Sequence, residues 1–527
     1  MALTLEQAAG QHFLLSFTGK REPPCELAAA LQRQQVGGIV LFRAKNMGTL
    51  EELRALTAAL QKTAAQTGQP PLLIAADQEG GQLMAIGDGT PFPGNLALGA
   101  TRSEKLTQRV GKALGLELAA VGVNVDFAPV CDVNNNPKNP VVGTRSFGED
   151  PRLVGRLSAA LVRGLQSAGV AATAKHFPGH GDTSSDSHHA APVLQHDLKR
   201  VRRIELRPFQ AAIDARVRLV MTAHIVFPAL NGGTDTPATL SPQILKGLLR
   251  RKLGFKGVIV TDAMDMNALE QGPGYVAECM AAVAAGADLL LLNHDLAKLE
   301  PAYATISQAA RRGLLSREEM LQSAARVLAL KKWLGRTKQP PLSVVCSREH
   351  RDLANEVAAA SMTLVRADRD AIPLRVSPES RIAVAVPRPE DLTPADTSSY
   401  LTPQLASAIR RHHGNVDDLV FAMNLDDGEV RACADRLAGY DLVVVGTIDA
   451  AGHRGQAALV TALVKRGVHV IAVALRMPYD LAAYPAAPTC ACTYSILPPS
   501  MDAFADALFG KIAFAGRLPV SIPRTIH

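Results

Sequence analysis

Along the first 335 residues, short apolar runs alternate with longer stretches of helical periodicity. The runs are Phe13–Phe17, Gly38–Phe42, Leu72–Ala76, Val123–Phe127, Val170–Ala174, Leu219–Ala223, Val258–Thr261 and Asp288–Leu292. Strands that alternate with helices predict a parallel sheet. Eight such units within roughly 300 residues predict a closed (β/α)8 TIM-like barrel. A doubly wound open sheet is the structural rival. No GxGxxG motif follows the first run, which weakens a dinucleotide-binding reading.

The pattern then changes. Ser316, with Glu319 three residues on, predicts a helix start, and the helix runs to about Leu334 and stops at Gly335. The stretch 336–347, with Pro340-Pro341, reads as a linker. A second domain is predicted over 348–527, a smaller α/β layered domain with strands at Ile382–Val386, Leu442–Gly446 and Val468–Val473. The expected domains are therefore 1–335, the barrel, and 348–527.

Polar residues cluster just after the apolar runs: Arg43, Asn46, Asp77, Glu79, Asp132, Arg145, Lys175, His176, His224, Asp262 and Asn293. Barrel enzymes carry their active sites at the C-terminal ends of the strands, so these side chains fall where the architecture would use them. The densest cluster is Lys175–His189, with four histidines, two aspartates and a lysine. Asp186-Ser187-His188 pairs a carboxylate with an imidazole and offers a proton donor and acceptor near neutral pH. A solvent-exposed polar loop is the alternative. Zinc is a rival for the loop, with His176, His180, Asp182 and His188 as ligands. Pro178-Gly179 forbids the helical spacing of an HExxH site. Asp262 ends its run as a nucleophile or as the N-cap of a following helix, and Asp265 competes for either role. Asp77-Gln78-Glu79-Gly80-Gly81 offers carboxylates for vicinal hydroxyls and glycines for close backbone approach to a ligand, or simply a βα turn. Arg145 could grip an oxygen-rich ligand or pair with a structural acid.

Bulk properties narrow the class. Hydrophobic residues make up 47% of 527, enough for two cores, and the net charge is +7. The basic clusters Lys199–Arg203 and Arg250–Lys252 lie in helical patterns with few aromatics nearby, so solvated helix faces fit them better than a nucleic-acid groove. Seven cysteines without a CxxC read as free thiols of a reducing compartment. The start lacks a signal-peptide pattern, and no apolar run reaches membrane-spanning length. The expectation is a cytoplasmic protein with no nucleic-acid or membrane partner.

Together these motifs resemble family 3 glycoside hydrolases, most closely the β-N-acetylglucosaminidase (β-N-acetylhexosaminidase) branch. The resemblance rests on Lys175-His176-Phe177-Pro178-Gly179-His180-Gly181-Asp182-Thr183, on Asp186-Ser187-His188 and on Asp77–Gly81. It also rests on Gly143–Gly148, Met221–Ile225, Val260-Thr261-Asp262 and the ending Gly516–Pro523, which resembles the close of the family's second, α/β sandwich domain. It implies a retaining glycoside hydrolase acting through a covalent glycosyl-Asp262 intermediate. His188, oriented by Asp186, would be the acid/base. Asp77, Arg145, Lys175 and His176 would bind sugar hydroxyls, and His224 would line the pocket. No metal and no cofactor are implied. The substrate would be an amino-sugar glycoside, a muropeptide fragment of peptidoglycan recycling or a chito-oligosaccharide, and the enzyme a monomer or homodimer. Related enzymes commonly carry arginine at the position of Ala85, so restoring it should change KM for simple N-acetylglucosaminides. Rival readings are a β-glucosidase, a phosphorylase of the same fold, and a non-catalytic sugar-binding protein.

Overall fold

The computed structural model describes residues 3–33, 36–187, 191–292, 296–368 and 371–523. Eight parallel strands close into a barrel: β1 (Phe13–Leu15), β2 (Gly38–Val40), β3 (Leu73–Ala76), β6 (Val125–Asp126), β7 (Ala171–Phe177), β8 (Leu219–Thr222), β9 (Val258–Ala263) and β10 (Leu289–Leu292). A small antiparallel hairpin, β4 (Gln78–Gly80) and β5 (Leu83–Met84), interrupts the series. The barrel order is β1-β10-β9-β8-β7-β6-β3-β2, so each strand of the eight lies beside its neighbour in sequence. All eight expected runs form barrel strands.

The runs become strands because both of their faces are buried. Leu14, Val40, Leu73, Val125, Leu219, Val258 and Leu289 fill the barrel interior, while Phe13, Ile39, Ile74, Ile259 and Leu290 join the core under the outer helices. Such two-sided burial gives continuous apolar runs rather than alternation. The helix Arg317–Leu334 starts on Ser316, whose side chain accepts from the Glu319 N–H, and ends at Gly335. Its Val327 and Leu330 complete the interior cluster.

The second sheet runs β11-β16-β15-β14-β12-β13. Its strands are β11 (Thr363–Arg366), β12 (Ile382–Pro387), β13 (Val416–Phe421), β14 (Leu442–Thr447), β15 (Val470–Ala474) and β16 (Thr489–Cys492). All pairs are parallel except the edge strand β11 against β16. Helices cover both faces, giving two apolar clusters. The stretch 336–347 lies against the barrel: Gln339 donates to Ala120 O at 3.1 Å, and the Cys346 N–H donates to buried Glu117 at 3.0 Å. The next helix, Arg348–Ser361, buries Leu353, Ala354 and Val357 in the barrel's outer core. Barrel residues Leu96, Ala97 and Ala100 in turn join a second-sheet cluster. Each unit thus lends apolar side chains to the other's core.

Candidate active site

At the C-terminal mouth of the barrel, β3, β6 and β7 deliver a buried network of charge. Lys175 at the end of β7 is almost wholly buried. Its Nζ lies 2.6 Å from Asp77 Oδ1 and 2.6 Å from Glu79 Oε1. Glu79 also accepts a two-pronged contact from Arg145, with Nε at 3.0 Å and Nη2 at 2.8 Å. Burial alone would push the Glu79 carboxyl up, but Arg145 and Lys175 outweigh it and hold it at about 2. Burial would likewise discharge Lys175, yet Asp77 and Glu79 raise it above its usual value. Of the four groups Asp77 is the most open, with 23% of its side chain exposed to the pocket. His176 is fixed from behind by Asp132, whose Oδ2 lies 2.7 Å from Nδ1 and whose Oδ1 accepts the His176 N–H at 3.2 Å. Nδ1 is therefore the protonated nitrogen, and Nε2 faces Arg145 Nη2 at 3.5 Å.

A pocket of about 600 Å³ opens over this floor. Asp262, near the end of β9, lines it from another wall. Its Oδ1 accepts the Ala263 N–H at 2.8 Å. The helix-cap reading of Asp262 fails, because residues 264–271 form turns and the next helix starts at Tyr275 behind Gly274. Asp265 lines the pocket as well. Asp186 is buried in the loop after β7, and Ser187 lines the pocket. His188 lies outside the described residues, as does Asn293. Gly181 holds this loop close to the barrel: a Cβ there would meet Val133 O at 1.9 Å. Gly80 and Gly81 have φ of +79° and +66° in the β4–β5 hairpin, and a Cβ at Gly81 would meet Pro93 O at 3.0 Å.

The second domain supplies part of the pocket wall through Asp391, Pro394, Ala395, Asp396, Thr397 and Tyr400. This segment is joined to the β4–β5 hairpin. The Thr397 N–H and Oγ1 both donate to Gln82 O at 2.8 Å, and Gln82 Nε2 donates to Ala395 O at 3.2 Å. Arg476 bridges the two, donating to Asp396 Oδ2 at 2.8 Å and to Gln82 Oε1. Arg43, after β2, stacks its guanidinium 4.3 Å from the Tyr400 ring centroid and reaches Met84 O at 3.5 Å.

Residues 4–330 match the model of the glycosyl hydrolase family 3 N-terminal domain. The chain belongs to glycoside hydrolase family 3. It is 37% identical over 413 residues to β-hexosaminidase A of Pseudoalteromonas piscicida, covering 71% of this chain and 69% of that protein. A β-N-acetylglucosaminidase/β-glucosidase of Cellulomonas fimi is 32% identical over 394 residues, 72% of this chain and 67% of that one. The structure of a family 3 β-N-acetylglucosaminidase from Paenibacillus sp. str. FPU-7 superposes with a TM-score of 0.93, at 37% identity and full coverage of both chains.

In this family 3 glycosidase the pocket gathers Asp77, Arg145, Lys175, His176 and Asp262. His224 does not line it, contrary to the sequence expectation. It is fully buried one layer below, with Nδ1 2.8 Å from Thr239 Oγ1 and Nε2 3.0 Å from Ala263 O. It braces the backbone next to Asp262. The groups weighed as zinc ligands have other partners. His180 bonds Thr183 and Ser187, and Asp182 bonds His196 and Arg200. Asp182, His196 and Glu205 converge, but Arg200 sits between the two carboxylates and supplies the cation itself. Asp132 and Arg43 were visible in sequence only as polar residues after strands, and Glu79 as a carboxylate for ligand hydroxyls, whereas it answers Arg145 and Lys175. Their roles depend on partners 41 to 357 residues away, the nearest being Met84 and the farthest Tyr400, both of Arg43, which no local pattern reveals.

Among the described residues no helix is long and apolar enough to cross a membrane, and the seven cysteines are free thiols.

Proposed function

We propose that the enzyme removes terminal N-acetyl-β-D-glucosamine with retention of configuration, from chito-oligosaccharides or muropeptide fragments, in the cytoplasm. The observation that carries this reading is Asp262, which is no helix cap and shares one pocket with the Asp77–Lys175–Glu79–Arg145–His176 network. Asp77, Arg145, Lys175 and His176 grip the sugar hydroxyls. In the first step an Asp262 oxygen attacks the anomeric carbon as the glycosidic C–O bond breaks. His188, held by Asp186, gives its proton to the leaving oxygen. In the second step His188 takes a proton from water, and that water displaces Asp262. The names of the relatives support an amino sugar as substrate, and the free thiols support a reducing compartment.

The test is turnover of a chromogenic N-acetyl-β-D-glucosaminide beside the matching β-D-glucoside, with and without phosphate. Release of N-acetylglucosamine, lost in Asp262→Ala, is expected. Preference for the glucoside, or formation of a sugar 1-phosphate, refutes the proposal in favour of a β-glucosidase or a phosphorylase.

A further inference from the structure

The loop after β7 folds around one histidine. His180 is 3% exposed and lines the pocket. Its backbone N–H donates to Asp132 Oδ1 at 2.7 Å, the carboxylate that also holds His176. Its ring reaches in two directions: Nδ1 lies 2.7 Å from Thr183 Oγ1, and Nε2 lies 3.0 Å from Ser187 Oγ.

The hydrogen-bond roles follow from counting donors. Thr183 Oγ1 donates its single proton to His180 O at 3.0 Å and accepts from Asn139 Nδ2 at 3.1 Å. Towards the ring it is left with a lone pair, so Nδ1 carries the proton. Nε2 is then a bare acceptor and takes the proton of the Ser187 hydroxyl. Burial keeps the ring neutral, lowering its pKa to about 4 against the pull of Asp132. A neutral ring in this tautomer has one donor and one acceptor, and both are used.

We propose that His180 is a positioning residue for proton transfer. By accepting the Ser187 hydroxyl it fixes the backbone between Asp186 and His188, and through Asp132 it ties that segment to the sugar-binding His176. The proposal rests on the reading of Asp186 and His188 as the acid/base. A merely structural clamp would affect all substrates alike, whereas a positioning residue acts only where a proton must be delivered.

The test compares kcat/KM for N,N′-diacetylchitobiose, whose leaving group needs protonation, with that for the 2,4-dinitrophenyl N-acetylglucosaminide, whose leaving group does not. Ser187→Ala removes the one hydroxyl and avoids the folding risk of His180→Ala. Thr183→Val and Thr183→Ser probe the other nitrogen, and Asp186→Ala is the reference. The expected loss in Ser187→Ala is on the order of 10–100-fold for chitobiose, at least about tenfold greater than for the dinitrophenyl glycoside. Thr183→Val should show the same split, and Thr183→Ser should restore wild-type behaviour. Equal losses on both substrates, or none, in Ser187→Ala while Asp186→Ala shows the split would overturn this inference alone. Absence of the split in Asp186→Ala would overturn the acid/base reading beneath it.

Discussion

Replacing Glu79 with glutamine removes the charge that makes the floor of the pocket tolerable. Glu79 is 2% exposed and answers two buried cations at once, Arg145 and Lys175. Its carboxyl falls from 4.5 to about 2 on folding, which corresponds to about 3 kcal/mol of stability at neutral pH. Removing one partner of a buried ion pair costs a similar about 3–5 kcal/mol, since the remaining charge keeps its desolvation penalty. The amide also turns an N–H towards one of the two cations. Glu79→Gln should therefore lower stability by about 3–5 kcal/mol at pH 7. The sign with pH is fixed: a depressed carboxyl stabilises fully above pH 4.5, and the contribution is lost as pH falls towards 2. Wild type should lose this increment over that window and the variant should not. The only tryptophan, Trp333, packs 4.4 Å from the Arg218 guanidinium at the end of the last barrel helix. Its fluorescence during urea denaturation reports on the barrel directly. A variant within about 1 kcal/mol of wild type at pH 7, below the range for a broken buried pair, would show that Glu79 does not hold the two cations. So would one with an unchanged pH slope between 4.5 and 2.

Asp132→Asn should present an N–H to His176 Nδ1, force the proton onto Nε2 and set it against Arg145 Nη2. Loss of a charge-assisted bond of about 1.5–3 kcal/mol predicts a roughly 10–150-fold lower kcat/KM, and full activity would contradict the tautomer. Arg43 spans the backbone at Met84 and Gly87, on either side of Ala85. Arg43→Ala should raise KM, and Ala85→Arg should raise it too by like-charge crowding, whereas the double variant should recover. A single Ala85→Arg variant with lowered KM would count against that. Lys331 is buried with Gln11 Oε1 at 2.7 Å, and burial pushes its pKa down to about 7. Its destabilisation is full below pH 7 and is relieved as pH rises towards 10.5. Lys331→Met should therefore gain about 2 kcal/mol at pH 7, after the orphaned Gln11 is counted, and lose that gain near pH 10. A gain independent of pH would be inconsistent with a titrating lysine.

The barrel was legible because each of its strands is apolar on both faces and ends in polar residues. The second sheet was only half legible. β13 reads Val416-Asp417-Asp418-Leu419-Val420-Phe421, an edge strand with solvated aspartates. β16 is Thr489-Cys490-Ala491-Cys492, too short and too poor in β-branched residues to stand out. In the site, Asp77, Lys175, His176 and Asp262 were legible as polar residues at strand ends. His224 carried the same signal yet faces Thr239 and the backbone, because a side chain's direction at a strand tip is set by packing. The wall at 391–400 comes from another domain, some 310 residues from the hairpin it joins, a separation that local patterning does not span.

In the proposed mechanism Asp262 forms the covalent bond to the sugar. The most direct measurement traps the glycosyl-enzyme with a slow fluorinated N-acetylglucosaminyl donor and sequences the labelled peptide by mass spectrometry. The expected result is one sugar on Asp262, formed at the rate of inactivation and absent in Asp262→Ala. A label on Asp265, or rapid turnover without any adduct in a protein that retains activity as Asp262→Ala, would contradict it.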